Sequence, residues 1–215
     1  MEAIEIIGAA QSAYVRTTRM AFEEKGVPYS LKIAAPHSSL VNALHPFGKI
    51  PVMRHGSFTL FESKAIATYI DRKFEGPALV PDDAESAALV EQWISAINTS
   101  IFPTAVVYMQ ANVFPKGPNG TRDEDVVAET LPQVGRHIEI LDGAVAPSGH
   151  LAGKLFTLAD MYLMPMLAYL RLFPESAAMI VEASNLDRYF AQHSKRKSFA
   201  ATAPPPLEEL RQSRT

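Results

Sequence analysis

An α/β domain followed by an all-helical domain is the architecture this 215-residue chain encodes, and three observations carry it. Strand and helix signals alternate through the first third of the sequence. A Pro- and Asp-rich joint, "EGPALVPDDAE", follows them. Beyond the joint the apolar positions recur at helical spacing, as in Ile94, Ile97 and Ile101, in Val134, Ile138 and Leu141, and in Tyr162, Met166, Leu167 and Leu170. The boundaries read as residues 1–80 for the first domain and 86–205 for the second.

The elements of the first domain follow in order. Ile4, Ile6 and Ile7 predict a short buried strand. "SAYVRTTRMAFEEKG" predicts a helix with Ala13, Met20 and Phe22 inward, ended by Gly26. "VPYSLKI" reads as a second strand with Tyr29, Leu31 and Ile33 on one face. "IPVMRHGSFTLF" reads as a hairpin turning at His55-Gly56, and "ESKAIATYIDRKF" as a helix with Ala65, Ile66, Tyr69 and Ile70 inward. Strand, helix, strand, connection, hairpin, helix is the order of a thioredoxin-like domain. In the second domain, Thr157 and Asp160 of "FTLAD" have capping-box spacing ahead of the apolar helix "MYLMPMLAYL". "FPKGPNGTRD" reads as a turn-rich break, and "APPPLEELRQSRT" as a mobile tail.

Composition excludes several classes. The net charge of -3 does not suit a nucleic-acid surface, and Lys195-Arg196-Lys197 reads as a solvated helix end. There is no cysteine, hence no disulfide, thiolate metal site or cysteine nucleophile; no metal site is expected. The N-terminus lacks the basic and apolar regions of a signal peptide, and no apolar run reaches the ~18 residues of a membrane span. The expectation is a soluble, cytoplasmic protein with no membrane or nucleic-acid partner.

Two serines and a proline stand where chemistry could be done. Ser12 opens the first helix, where a serine either caps the helix or offers its proton to a bound anion. Ser63 opens another, whose N-terminal N–H groups suit a carboxylate, or it too merely caps. Pro51 starts a strand without a ladder donor, marking an edge or turn. On composition Ile50–Pro51 is expected trans, since only about 5–6% of X–Pro bonds in folded proteins are cis.

"HPFGKIPVM" followed by "FTLFESKAIATYI", together with "FTLADMYLMPML", resembles the glutathione S-transferase superfamily over roughly residues 4–200. "SAYVRTTRMAFEEK" resembles its serine-type members, of the phi and theta kind. The resemblance implies a thioredoxin-like domain plus an all-helical domain, a homodimer, and a cis Ile50–Pro51 bond. It implies that Ser63 holds the γ-glutamyl carboxylate of glutathione, Glu62 its amino group, and the backbone of Ile50, ahead of Pro51, the cysteinyl backbone. Lys49 and His37 are the candidates for the glycyl carboxylate. It makes Ser12 the catalytic hydroxyl, donating to the glutathione sulfur. A hydrogen bond to a charged acceptor contributes about 1.5–3 kcal/mol, enough to lower a thiol pKa by about 1–2 units. Tyr14 is the rival hydroxyl. The resemblance makes Arg16 a structural ion-pair former.

The function so implied is a detoxifying glutathione transferase, with glutathione as co-substrate attacking an apolar electrophile. The electrophile is expected between the domains, against Tyr14, Phe102, Tyr108, Met109, Met166 and Tyr169, although for the last five a stripe at helical spacing is a packing signal first. The alternatives are a non-catalytic glutathione-binding relative, or a glutathione-dependent lyase, isomerase or peroxidase on the same scaffold. The missing cysteine removes chemistry that runs through a protein–glutathione disulfide.

Overall fold

A computed structural model of the chain describes residues 2–113 and 121–206. Most of the turn-rich break and the end of the tail lie outside the described residues. The chain forms two compact units. The first reaches to Val80 and takes in Lys195–Pro205; the second is Pro81–Ser194.

In the first unit, β1 (Ile4–Ile7) leads into α1 (Ala13–Lys25), and β2 (Ser30–Lys32) into the short α2 (Ser39–Asn42). The hairpin β3 (Val52–His55) and β4 (Phe58–Phe61) leads into α3 (Ser63–Lys73). The sheet order is β2-β1-β3-β4, with β1 parallel to β2 and the other pairs antiparallel. Ile4, Ile6 and Ile7 are buried, as the apolar run requires, and so are Val15, Met20 and Phe22 of α1. The strand expected through Ile33 is shorter. It lies at the sheet edge, pairs over three residues only, and leaves Ile33 68% exposed.

Buried Lys25 at the end of α1 meets Asp71 of α3 at 2.9 Å, and Asp71 also accepts the N–H groups of Leu79 and Val80. One carboxylate thus satisfies a buried ammonium and fixes the chain where the first unit ends.

The second unit is helical: α4 (Ala84–Ala96), α5 (Phe102–Val113), α6 (Glu124–Val145), α7 (Leu158–Leu170), α8 (Pro174–Glu182) and α9 (Ser184–His193). A π-turn over Ile97–Ile101 joins α4 to α5, and the Phe102 N–H reaches back to the Ile97 carbonyl. Pro103 supplies the local cause, because it has no N–H for the next α-helical bond. The Thr157–Asp160 capping box is present, and α7 is buried nearly all round. Buried Asp160 accepts from Thr157 N–H at 2.7 Å, Leu151 N–H at 2.8 Å and the Tyr189 hydroxyl at 2.9 Å. The hydroxyl of Tyr189, itself enclosed, is held far above the ordinary tyrosine value by burial and by the Asp160 charge.

Residues 195–205, read from sequence as part of the helical domain, belong to the first unit. They form α10 (Lys197–Ala201), which packs on α1. The Arg16 guanidinium donates to the Phe199 carbonyl at 2.9 Å and lies 3.9 Å from the centre of the Phe199 ring. Arg19 donates to the Ala201 and Thr202 carbonyls. Two arginines therefore satisfy the carbonyls that the end of α10 leaves open. Arg196, expected in a solvated basic run, forks onto Glu24 instead.

Candidate functional site

The strand registers place the candidates of the first unit at one end of the sheet. Ile7 is opposite both Lys32 and Val52, and Val52 is opposite Phe61. These four residues form one row across the sheet. From that row the chain leaves toward Ser12, toward His37 and toward Glu62 and Ser63, and it enters from Lys49, Ile50 and Pro51.

Gly8 makes the approach of two of these segments close. A Cβ there would lie 2.6 Å from the Val15 side chain and 3.3 Å from the Ile50 Cβ. The first turn of α1 and Ile50 thus sit against each other across a bare backbone. The Ile50–Pro51 peptide is cis, as the resemblance implied and composition did not. Ile50 packs with Phe61 on the cluster of Ile7, Ala34, Val41 and Val52.

Ser12 is the N-cap of α1, and its Oγ accepts the Val15 N–H at 3.4 Å. That bond is long and uses a lone pair, so the hydroxyl proton stays unspent among the described residues. Capping and donating to an anion are therefore compatible roles for one side chain. Ser63 is buried and is the first residue of α3; the cap position belongs to Glu62, whose side chain makes no capping bond. Neither α1 nor α3 carries an acidic residue in its first turn; at α1 the partial positive charge of the N-terminus is left for a ligand, while α3 has the Glu62 side chain at its cap position.

Glu62 has φ +70°, in the left-handed region that a side chain rarely adopts. Such strain persists where the surroundings enforce it. The Glu62 carboxylate is 60% exposed and lies 3.8 Å from Nε2 of His45. Burial pushes the Tyr14 hydroxyl up to about 12, and the Glu62 charge adds to the shift. Tyr14 is therefore a neutral hydroxyl near Glu62, and its ionised form plays no part near neutral pH.

His37 also has positive φ, at 60°, and its N–H donates to the Gly48 carbonyl at 2.8 Å. A side chain at Gly48 would run into the His37 ring and the Asn42 amide. This ties the His37 loop to the segment carrying exposed Lys49. His37, Lys49, Ile50, Pro51, Glu62, Ser63, Ser12 and Tyr14 all belong to this end of the first unit.

The helical candidates divide differently. Tyr108 and Met166 are wholly enclosed, Tyr108 with its ring edge-on to Phe173, and Met109 is nearly so. Phe102 and Tyr169 keep partial exposure. Sequence reasoning passed over His45, whose link to Glu62 crosses the hairpin and has no local signature.

Two family models match the chain: the glutathione S-transferase N-terminal domain over residues 11–73 and its C-terminal domain over residues 104–197. Glutathione S-transferase 4 of Zea mays is 32% identical over 74% of this chain and 74% of its own length. The chain belongs to the glutathione S-transferase family. As a member it is a transferase with glutathione as its co-substrate. The fold agrees with that of glutathione transferase F7 from Populus trichocarpa, with a TM-score of 0.83 over 93% of this chain and 97% of that one. A theta-class glutathione S-transferase from Xanthomonas axonopodis pv. citri, solved with glutathione bound, is 25% identical. It superposes with a TM-score of 0.81 over 96% of this chain and all of its own, 100%. The resemblance to the phi and theta kind of glutathione S-transferase, read from the short motifs, is thus borne out.

Proposed function

We propose that this glutathione S-transferase binds glutathione at the end of the sheet where the four strands finish and activates its thiol through Ser12. The observation that carries the reading is the unspent Ser12 proton at an N-terminus free of acidic residues. A thiolate there accepts the hydroxyl proton and sits in the positive end of α1. Ser63 and the α3 N-terminus receive the γ-glutamyl carboxylate, Glu62 the amino group, and the Ile50 backbone beside Pro51 the cysteinyl backbone. Lys49 and His37 receive the glycyl carboxylate. The thiolate then displaces a leaving group from, or adds to, an apolar electrophile; the new bond is carbon–sulfur, and glutathione is the nucleophile throughout. Tyr14 in the first unit and Phe102 and Tyr169 in the second are the partly exposed aromatic candidates for that electrophile, while Met109, Tyr108 and Met166 are buried in the second unit.

Among the described residues no helix is long and apolar enough to cross a membrane. A cytoplasmic detoxifying homodimer is the setting we infer from the family; exposed Phe47 and Phe58 offer apolar surface to a second copy.

The test is an ultraviolet titration of glutathione bound to wild type and to Ser12→Ala. The reading expects a bound-thiol pKa about 1–2 units below free glutathione in wild type, lost in the variant. Equal titration of the two proteins refutes the role of Ser12. An unshifted thiol in wild type marks a binding protein rather than a thiolate-forming enzyme.

A further inference from the structure

His45 is 2% exposed, yet it belongs to no part of the glutathione site as the sequence defines it. Its ring lies on Phe61, 4.6 Å between centroids, and Phe47 meets it edge-on. Its Nδ1 accepts the Phe47 N–H at 3.0 Å, so the ring proton sits on Nε2. That Nε2–H is the atom facing Glu62, at 3.8 Å. The separation is too long for a hydrogen bond, and a small swing of the exposed carboxylate closes it. Glu62 meets the His45 ring on a backbone already held at positive φ.

We propose that His45 is a positioning residue: through Nε2–H it fixes the Glu62 carboxylate to receive the α-ammonium group of glutathione. The proposal rests on the reading of Glu62 given above. It makes the affinity depend on His45 only through that one ligand group. Buried behind the carboxylate on two aromatic rings, His45 orders one rotamer of a side chain that would otherwise lose that freedom on binding.

The substitution His45→Asn separates this role from local folding. An asparagine oxygen can accept the N–H two residues on, as Nδ1 does, but has no donor reaching Glu62. Binding to the full-length protein would be measured by calorimetry with glutathione and with its analogue lacking the γ-glutamyl amino group. His45→Asn is expected to weaken glutathione about threefold to tenfold and leave the analogue unchanged. His45→Gln, whose longer amide reaches toward Glu62, is expected to restore most of the discrimination. Equal weakening of both ligands, or of neither, overturns the proposal, the first by showing a merely structural histidine. Glu62→Gln serves as the reference. If it does not lower the preference for glutathione over the analogue, the assignment of Glu62 itself fails, and His45 falls with it.

Discussion

Arg196 lays two guanidinium nitrogens on the Glu24 carboxylate, at 2.8 and 2.7 Å, and Ser198 adds its hydroxyl to the same group. The pair joins residues 172 positions apart and closes the first unit around α1. Arg196 is 37% exposed and Glu24 13%, so solvent weakens the attraction without removing it. Glu24→Gln is expected to cost about 1 kcal/mol, less in high salt, read from the urea midpoint at two ionic strengths.

Arg16 is the stronger tie. It is 3% exposed, and its removal leaves the Phe199 carbonyl only a 3.3 Å bond from the Thr202 hydroxyl and takes the guanidinium off the Phe199 ring. Arg16→Ala is expected to destabilise by about 2–4 kcal/mol, and Arg16→Lys to recover only part, since an ammonium cannot reproduce the planar stack. Denaturant unfolding of the three proteins decides it.

Ser12→Ala removes a 3.4 Å capping bond and is expected to cost only about 0.5 kcal/mol of stability, the low end for a lost cap. A loss in kcat/KM of tenfold or more, about 1.4 kcal/mol, with near-normal unfolding would separate chemistry from capping. A loss of stability as large as the loss of activity would merge them.

Tyr14 sets a contrasting expectation. Its folded pKa, about 12, lies above the unfolded value, so it stays protonated through the working range. It penalises the folded state only as pH climbs from about 10 toward 12, where the unfolded chain ionises first. Tyr14→Phe should leave the pH profile between about 5 and 9 in place, and change KM for bulky electrophiles. A displaced acid limb would instead make Tyr14 the activating hydroxyl.

Asp142 gives the acid-side prediction. From α6 it accepts the N–H groups of Asn185 and Leu186 and the Asn185 amide, capping α9. Burial works against the charge, but those bonds hold its carboxyl below the usual range. A depressed folded pKa stabilises above the unfolded value and is lost as pH falls through the folded one. The gap in melting temperature between wild type and Asp142→Asn should therefore narrow below about pH 4.

What could be read in advance was local. Thr157 with Asp160, Gly26 after its helix and the hairpin, whose turn falls at Gly56-Ser57, one residue later than the reading at His55-Gly56 because His55 still pairs with Phe58, are each settled by neighbours a few residues apart. Ser12 and Ser63 were legible as helix starts for the same reason, while their alternatives stayed open because a helix start fits both. What escaped depends on distance along the chain. The ring of His45 meets Glu62 only after the hairpin folds, and Arg16 meets Phe199 across 183 positions. Tyr108 and Tyr169 share an apolar pattern, yet one is enclosed and the other partly open, because periodicity gives the inward face and not its depth.

The return of residues 195–205 to α1 means that gene order and spatial order disagree. A fragment ending at Val80 would carry α1 with Arg16, Arg19 and Glu24 stripped of the carbonyls, ring and guanidinium that complete them. Anyone grafting this half onto another protein must carry the far end of the chain along with it, or replace it with a joined copy of that strip.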